Sequence, residues 1–151
     1  MIIVGYQGIG KSTLAGTDGC IDLESGNFWS NGVRPDNWYV FYCQIAEHLS
    51  QQGYTVFVSS HEVVRNRLKK YTKEPLHIVC PAVELEEVWI DKLKKRFEHT
   101  KTEKDYKAWM NAEDRYTENI KELLNSGISF TILTDMNYSL KDIVVEIKEG
   151  E

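Results

Sequence analysis

The chain opens with four apolar residues, Met1-Ile2-Ile3-Val4, that run straight into Gly5-Tyr6-Gln7-Gly8-Ile9-Gly10-Lys11-Ser12-Thr13. A short apolar run bounded by glycine reads as a buried strand. The glycines behind it permit backbone angles that other residues resist, and helix formers follow from Lys11 to Ala15. The segment therefore predicts a strand, a tight loop and a helix in quick succession. The spacing Gly5-x4-Gly10-Lys11-Ser12 fits the pattern G-x-x-x-x-G-K-[ST] of loops that wrap phosphate. In such a loop successive N–H groups turn inward at a helix N-terminus, where the dipole favours negative charge. Lys11 is then expected to reach the β- and γ-phosphates, and the Ser12 hydroxyl to ligate Mg²⁺.

A buried opening strand needs strands beside it. Further apolar runs at 20–23, 54–59, 76–80 and 128–133 supply four, and the stretches between them carry helical spacing. Over 36–52, Trp38, Phe41, Tyr42, Ile45 and Leu49 recur on one stripe, which Gly53 ends. Ser59 and Glu62 form a capping-box pattern for a helix through Tyr71. The run 84–97 places Leu85, Trp89, Leu93 and Phe97 on one face. The run 102–125 starts with Thr102-x-x-Asp105 and is expected to bury Tyr106, Trp109, Tyr116, Ile120 and Leu123. Ser139-x-x-Asp142 starts a last short helix. Strands alternating with helices imply an α/β fold with a parallel sheet, helices on both faces and right-handed crossovers. Few residues separate Thr13 from the second strand, so the first helix has two turns at most.

The bulk composition fits one soluble domain. The chain has 151 residues, 42% hydrophobic and 27% charged, enough for a single core without staples. A net charge of −5 gives no general attraction to nucleic acid or anionic membrane. No apolar stretch approaches the roughly 20 residues of a membrane span. Cys20, Cys43 and Cys80 are odd in number and widely spaced, as expected of reduced thiols in a cytoplasmic protein.

In such sheets ligands sit beyond the carboxyl ends of the strands. After the second strand, Asp22 and Glu24 stand at i, i+2 and point to the same side of an extended segment. There they can bind Mg²⁺ or take a proton from an attacking hydroxyl; a solvated strand end is the alternative. After the third strand, Ser59, Ser60 and His61 either touch substrate or cap the next helix. Basic clusters at 65–73 and 92–96 are solvated helix faces or, for Arg96 and then Lys95, charges brought over a transferring phosphate. The polar stretch around 94–104 is expected to act as a short mobile lid. Arg34 is a candidate for holding an anionic acceptor, and Phe28 and Trp29 for covering a base or sugar face.

These residues resemble the P-loop small-molecule kinases, such as nucleoside monophosphate, shikimate and gluconate kinases. The match is Gly5–Thr13 to G-x-x-G-x-G-K-[ST]-T, Asp22 and Glu24 to the acidic D-x-D segment, and the segments 77–97 and 128–144 to the later strands and the lid-bearing helix. The resemblance implies a three-layer fold with sheet order 2-3-1-4-5 in one domain over 1–151. It also implies ATP with Mg²⁺ as donor and a small hydroxyl or phosphate acceptor, foremost a nucleoside or nucleotide. Nucleotide binding is expected from Gly5, Gly8, Ile9, Gly10, Lys11, Ser12 and Thr13. The expected catalytic residues are Lys11, Asp22, Glu24 and Arg96, the acceptor residues Asp22, Glu24, Arg34 and His61, and the metal ligands Ser12 and Asp22. The first helix is shorter than usual for such kinases, and Val58-Ser59-Ser60-His61 stands where adenylate kinases carry an Asp-Gly-Phe-Pro-Arg-like segment. A nucleotide-dependent regulatory NTPase, with water as acceptor, is the competing reading. Against it, no apolar strand ends in Asp-Glu.

Overall fold

The computed structural model describes residues 1–28 and 33–150. Ile2, Ile3 and Val4 are wholly buried because β1 (Ile2–Gly5) is the central strand of a five-stranded sheet. It pairs with β3 (Thr55–Val58) on one side and β4 (Leu76–Pro81) on the other. β2 (Cys20–Asp22) and β5 (Phe130–Leu133) form the edges, so the order is β2-β3-β1-β4-β5 and every pairing is parallel. Strands covered on both faces need apolar residues at consecutive positions, which explains the unbroken Ile-Ile-Val and Val-Phe-Val runs.

The connections are α1 (Lys11–Leu14), α2 (Trp38–Gln51), α3 (Glu62–Tyr71), α4 (Glu86–Thr100), α5 (Glu103–Leu124) and α6 (Leu140–Glu149). The first crossover runs from β1 outward to β2 and the next runs back. Right-handed connections therefore put α1 on the opposite face from α2 and α3. In keeping with that, α2 packs on α3 and α1 meets α6. α1 is a single turn, shorter even than the two-turn limit set by the sequence. Thr102 and Ser139 cap α5 and α6 through bonds from the Asp105 and Asp142 N–H groups, as their spacing predicts. Among the described residues no helix is long and apolar enough to cross a membrane.

Three local expectations are corrected. Ser59 does not cap α3: His61 is the N-cap residue without a side-chain bond, and the Ser59 hydroxyl bonds His61 Nδ1 at 2.7 Å instead. α2 buries Trp38, Tyr42, Cys43, Ala46 and Ser50, leaving Phe41 and Ile45 outward. The small Cys43 and Ala46 let its backbone approach the sheet, which a stripe through Phe41 and Ile45 would prevent. Tyr106 is exposed; its ring lies edge-on to Phe97 and Trp109 at the α4–α5 contact, outside the core.

Candidate functional site

The carboxyl ends of β1, β2 and β3 open into a cleft of about 640 Å³, roofed by α5. Its floor is the glycine loop after β1. Gly8 and Gly10 have φ of +87° and +101°, which L side chains rarely adopt. A Cβ on Gly8 would also lie 2.9 Å from Leu93 Cδ2, so the loop packs against α4 at a spacing only glycine allows. Neighbours then fix the peptide orientations. Trp89 Nε1 donates to the Gln7 carbonyl at 2.9 Å, and the Tyr138 hydroxyl donates to the Ile9 carbonyl at 2.8 Å. The N–H groups of Gly8, Gly10, Lys11 and Ser12 donate to no acceptor among the described residues. Converging unpaired N–H groups form an anion-binding concavity.

Lys11 turns its Nζ back across the loop to the Gly5 carbonyl at 3.4 Å. Burial lowers its pKa, with the Asp22 and Glu24 charges opposing that shift. Asp22 ends β2 and Glu24 lies two residues on, and both line the cleft. Burial raises the Asp22 pKa, with Lys11 opposing. Burial also acts to raise Glu24, but the hydrogen bonds and charge of Lys104 outweigh it and leave Glu24 below its ordinary value. Lys104 reaches across from the first turn of α5 and holds both Glu24 oxygens, at 2.7 and 2.8 Å. The two carboxylates are thus unequal: Asp22 keeps a proton more readily than Glu24.

The β2 and β3 ends are locked by one side chain. The Tyr42 hydroxyl donates to the Leu23 carbonyl at 2.6 Å and accepts from the Ser59 N–H at 2.8 Å. His61, held by Ser59, lies edge-on to Trp38 at 5.3 Å, and the Arg34 guanidinium sits 4.3 Å over the same indole. Burial lowers the His61 pKa, with the Arg34 and Lys11 charges adding, so the ring is neutral at pH 7. Ser12, Arg34, His61 and Arg96 all line the cleft.

Other expected residues lie elsewhere. Ile9 and Thr13 do not line the cleft: Ile9 is buried beneath the loop, where its Cδ1 leaves no room for a Cβ on Gly5, and Thr13 is exposed. Lys95 pairs with Asp91 on the exposed side of α4. Phe28 packs on Tyr42 at 5.5 Å, away from the cleft, and Trp29 falls outside the described residues. Residues 94–104 form the corner of the α4–α5 hairpin, with Lys101 left-handed at φ 56°. There Arg96 Nε meets the buried Asp105 carboxylate at 3.2 Å, and Thr100 also donates to it.

Four cleft residues had no sequence signal of their own. Arg65 is 6% exposed; its Nε bonds the Ser60 carbonyl at 3.1 Å, and Glu122 stands 3.8 Å from its terminal nitrogen. In sequence it is one of five cations in the run 65–73. Lys104, Asn111 and Arg115 stand on α5 in an ordinary polar pattern, and all three line the cleft.

No protein-family model matches the chain, and no curated protein matches it. The reading of the site rests on its geometry.

Proposed function

We propose that the chain is an ATP-dependent kinase that transfers the γ-phosphoryl group to a small acceptor, foremost a nucleoside or nucleotide. The observation that carries this reading is the cleft-lining glycine loop with unpaired N–H groups beside Lys11, Asp22 and Glu24. In this reading the loop amides receive the β- and γ-phosphates and Lys11 supplies the matching charge. Ser12 and Asp22 would hold Mg²⁺, which when bound would supply positive charge to offset that of the phosphates. The donor set fits: Mg²⁺ on a nucleotide takes one or two carboxylates and keeps phosphate and water ligands.

The acceptor lies between Asp22, Glu24, Arg34 and His61. The carboxylates of Asp22 and Glu24 stand where one of them can accept a proton from an attacking hydroxyl. The acceptor oxygen forms its bond to the γ-phosphorus as the bond to the β-phosphate oxygen breaks, and ADP departs with that electron pair. Arg96 at the hairpin corner and the buried Arg65 add positive charge on the acceptor side, where charge develops in transfer. A coupled ADP-release assay over nucleosides, nucleotides, sugars and hydroxy acids tests the proposal. Acceptor-dependent ADP release is expected. If ADP appears at the same rate with water alone, the kinase reading falls to that of a regulatory NTPase.

A further inference from the structure

Three amide side chains meet on the cleft wall between the glycine loop and α5: Gln7, Asn111 and Asn119. Gln7 Nε2 donates to the Ala108 carbonyl at 3.0 Å and to Asn111 Oδ1 at 3.3 Å. Asn119 Nδ2 donates to the same Asn111 oxygen at 2.7 Å. The orientations propagate from one end. A backbone carbonyl only accepts, so Gln7 must present its nitrogen to Ala108. The same nitrogen also donates to Asn111 Oδ1, with the Tyr6 hydroxyl a more distant acceptor at 3.5 Å, and Asn119 donates to that Asn111 oxygen. This leaves Gln7 Oε1 as an acceptor and Asn111 Nδ2 as a donor, with no partner for either among the described residues.

The helix departs from regularity to build this row. Residues 111 and 119 would stand about 12 Å apart along a straight helix, too far for two asparagine amides to touch. Between them Arg115 has non-helical angles, φ −136° and ψ 24°, and its side chain is drawn aside to Glu118 and Glu122. There is no proline or glycine in α5 to account for the kink. It closes the gap between the asparagines and brings their amides into contact.

The geometry points to a subsite for a nucleobase: Gln7 and Asn111, joined by a hydrogen bond in the cleft wall, offer between them a free oxygen acceptor and a free amino donor to read the complementary edge of a base. Nucleobase edges carry such donor–acceptor pairs in one plane, whereas sugar hydroxyls do not, and an amide matched to a base edge discriminates strongly. The inference rests on the kinase reading for the place of the acceptor, and it assigns the base to the α5 wall and the reacting oxygen to the Asp22 side.

Calorimetric titration of the wild-type protein, with no ATP present, uses adenosine, guanosine, cytidine and thymidine 5′-monophosphates, with ribose 5-phosphate as the base-free control. At least one base-bearing ligand is expected to bind about ten- to one-hundred-fold more tightly than ribose 5-phosphate. Asn111→Leu should erase that advantage, and thermal melting checks that the variant folds. Asn111→Asp keeps the size and turns the free donor into an acceptor, so the order of preference among the bases should change. Equal affinity for ribose 5-phosphate and all four nucleotides overturns the inference, as does a preference that both variants retain. The kinase reading fails separately: an Asn111-dependent base preference with no phosphoryl transfer keeps the subsite and removes the proposed reaction. ATP-driven transfer without base preference does the reverse.

Discussion

The two walls of the cleft are built by different means. One wall is made of strand ends: the glycine loop, Asp22, Glu24, Ser59 and His61 stand where β1, β2 and β3 stop. Its positions are set by sheet register, and Tyr42 ties two of the ends together through backbone groups. The other wall is made of helix faces, with Arg96, Lys104, Asn111 and Arg115 projecting from the α4–α5 hairpin. It is held across the cleft by side-chain bonds such as Lys104 to Glu24. In the proposed reaction the difference would divide the labour: the strand-end wall would hold the phosphates and the reacting oxygen, and the helical wall would adjust to what is bound.

Substitutions on the two walls should therefore differ in kind. Lys11→Ala on the fixed wall is expected to have the largest effect, a loss of turnover on the order of 1000-fold with an unchanged melting temperature. Steady-state kinetics beside a thermal melt measures both, and normal turnover would remove the loop from the account. Asp22→Asn should lower kcat by about 100-fold, again with the fold intact. A collapsed melting temperature with normal activity in the folded fraction would make Asp22 a strand-end residue and nothing more.

On the helical wall the expected effects are on stability and on pH. Asp105 is 6% exposed and accepts from Thr100 and Arg96. Burial acts to raise its pKa, but the Thr100 bond and the Arg96 charge leave it below the ordinary aspartate value. Its contribution is thus complete above the unfolded value of about 3.9 and is lost as pH falls through the folded one. Asp105→Asn should cost about 2 kcal/mol at pH 7 and less at low pH, as read by denaturant unfolding. An equal cost at both pH values would exclude the ionic contribution. The smallest effect belongs to Lys104→Met. Its exposed pair with Glu24 contributes under about 1 kcal/mol to stability. Lys104 nevertheless lowers the pKa of both Asp22 and Glu24. Removing it should move the acid limb of the kcat profile to higher pH, and an unmoved limb would separate that limb from the carboxylate pair.

The same contrast explains what the sequence could disclose. The fixed wall was legible because its determinants are local. The glycine spacing names the loop, and strands of period two put Asp22 and Glu24 on one side. The sheet order expected from the resemblance is the order found. The helical wall was legible only as helices. Thr102 marks the start of α5, but nothing in its sequence marks the kink at Arg115 or the inward turn of Asn111. Arg65 was hidden among four other cations, and only burial separates it from them. Phe41 and Ile45 misled because period alone cannot say which of two adjacent stripes faces the sheet.

Hydrogen exchange with and without ATP-Mg²⁺ tests the central claim most directly, because the loop amides that lack acceptors are the ones said to receive the phosphates. The account predicts that the strongest slowing falls on residues 8–12, with weaker slowing at the hairpin corner around 94–104. Unchanged exchange at residues 8–12 in saturating ATP-Mg²⁺ would contradict it, whatever the rest of the chain does.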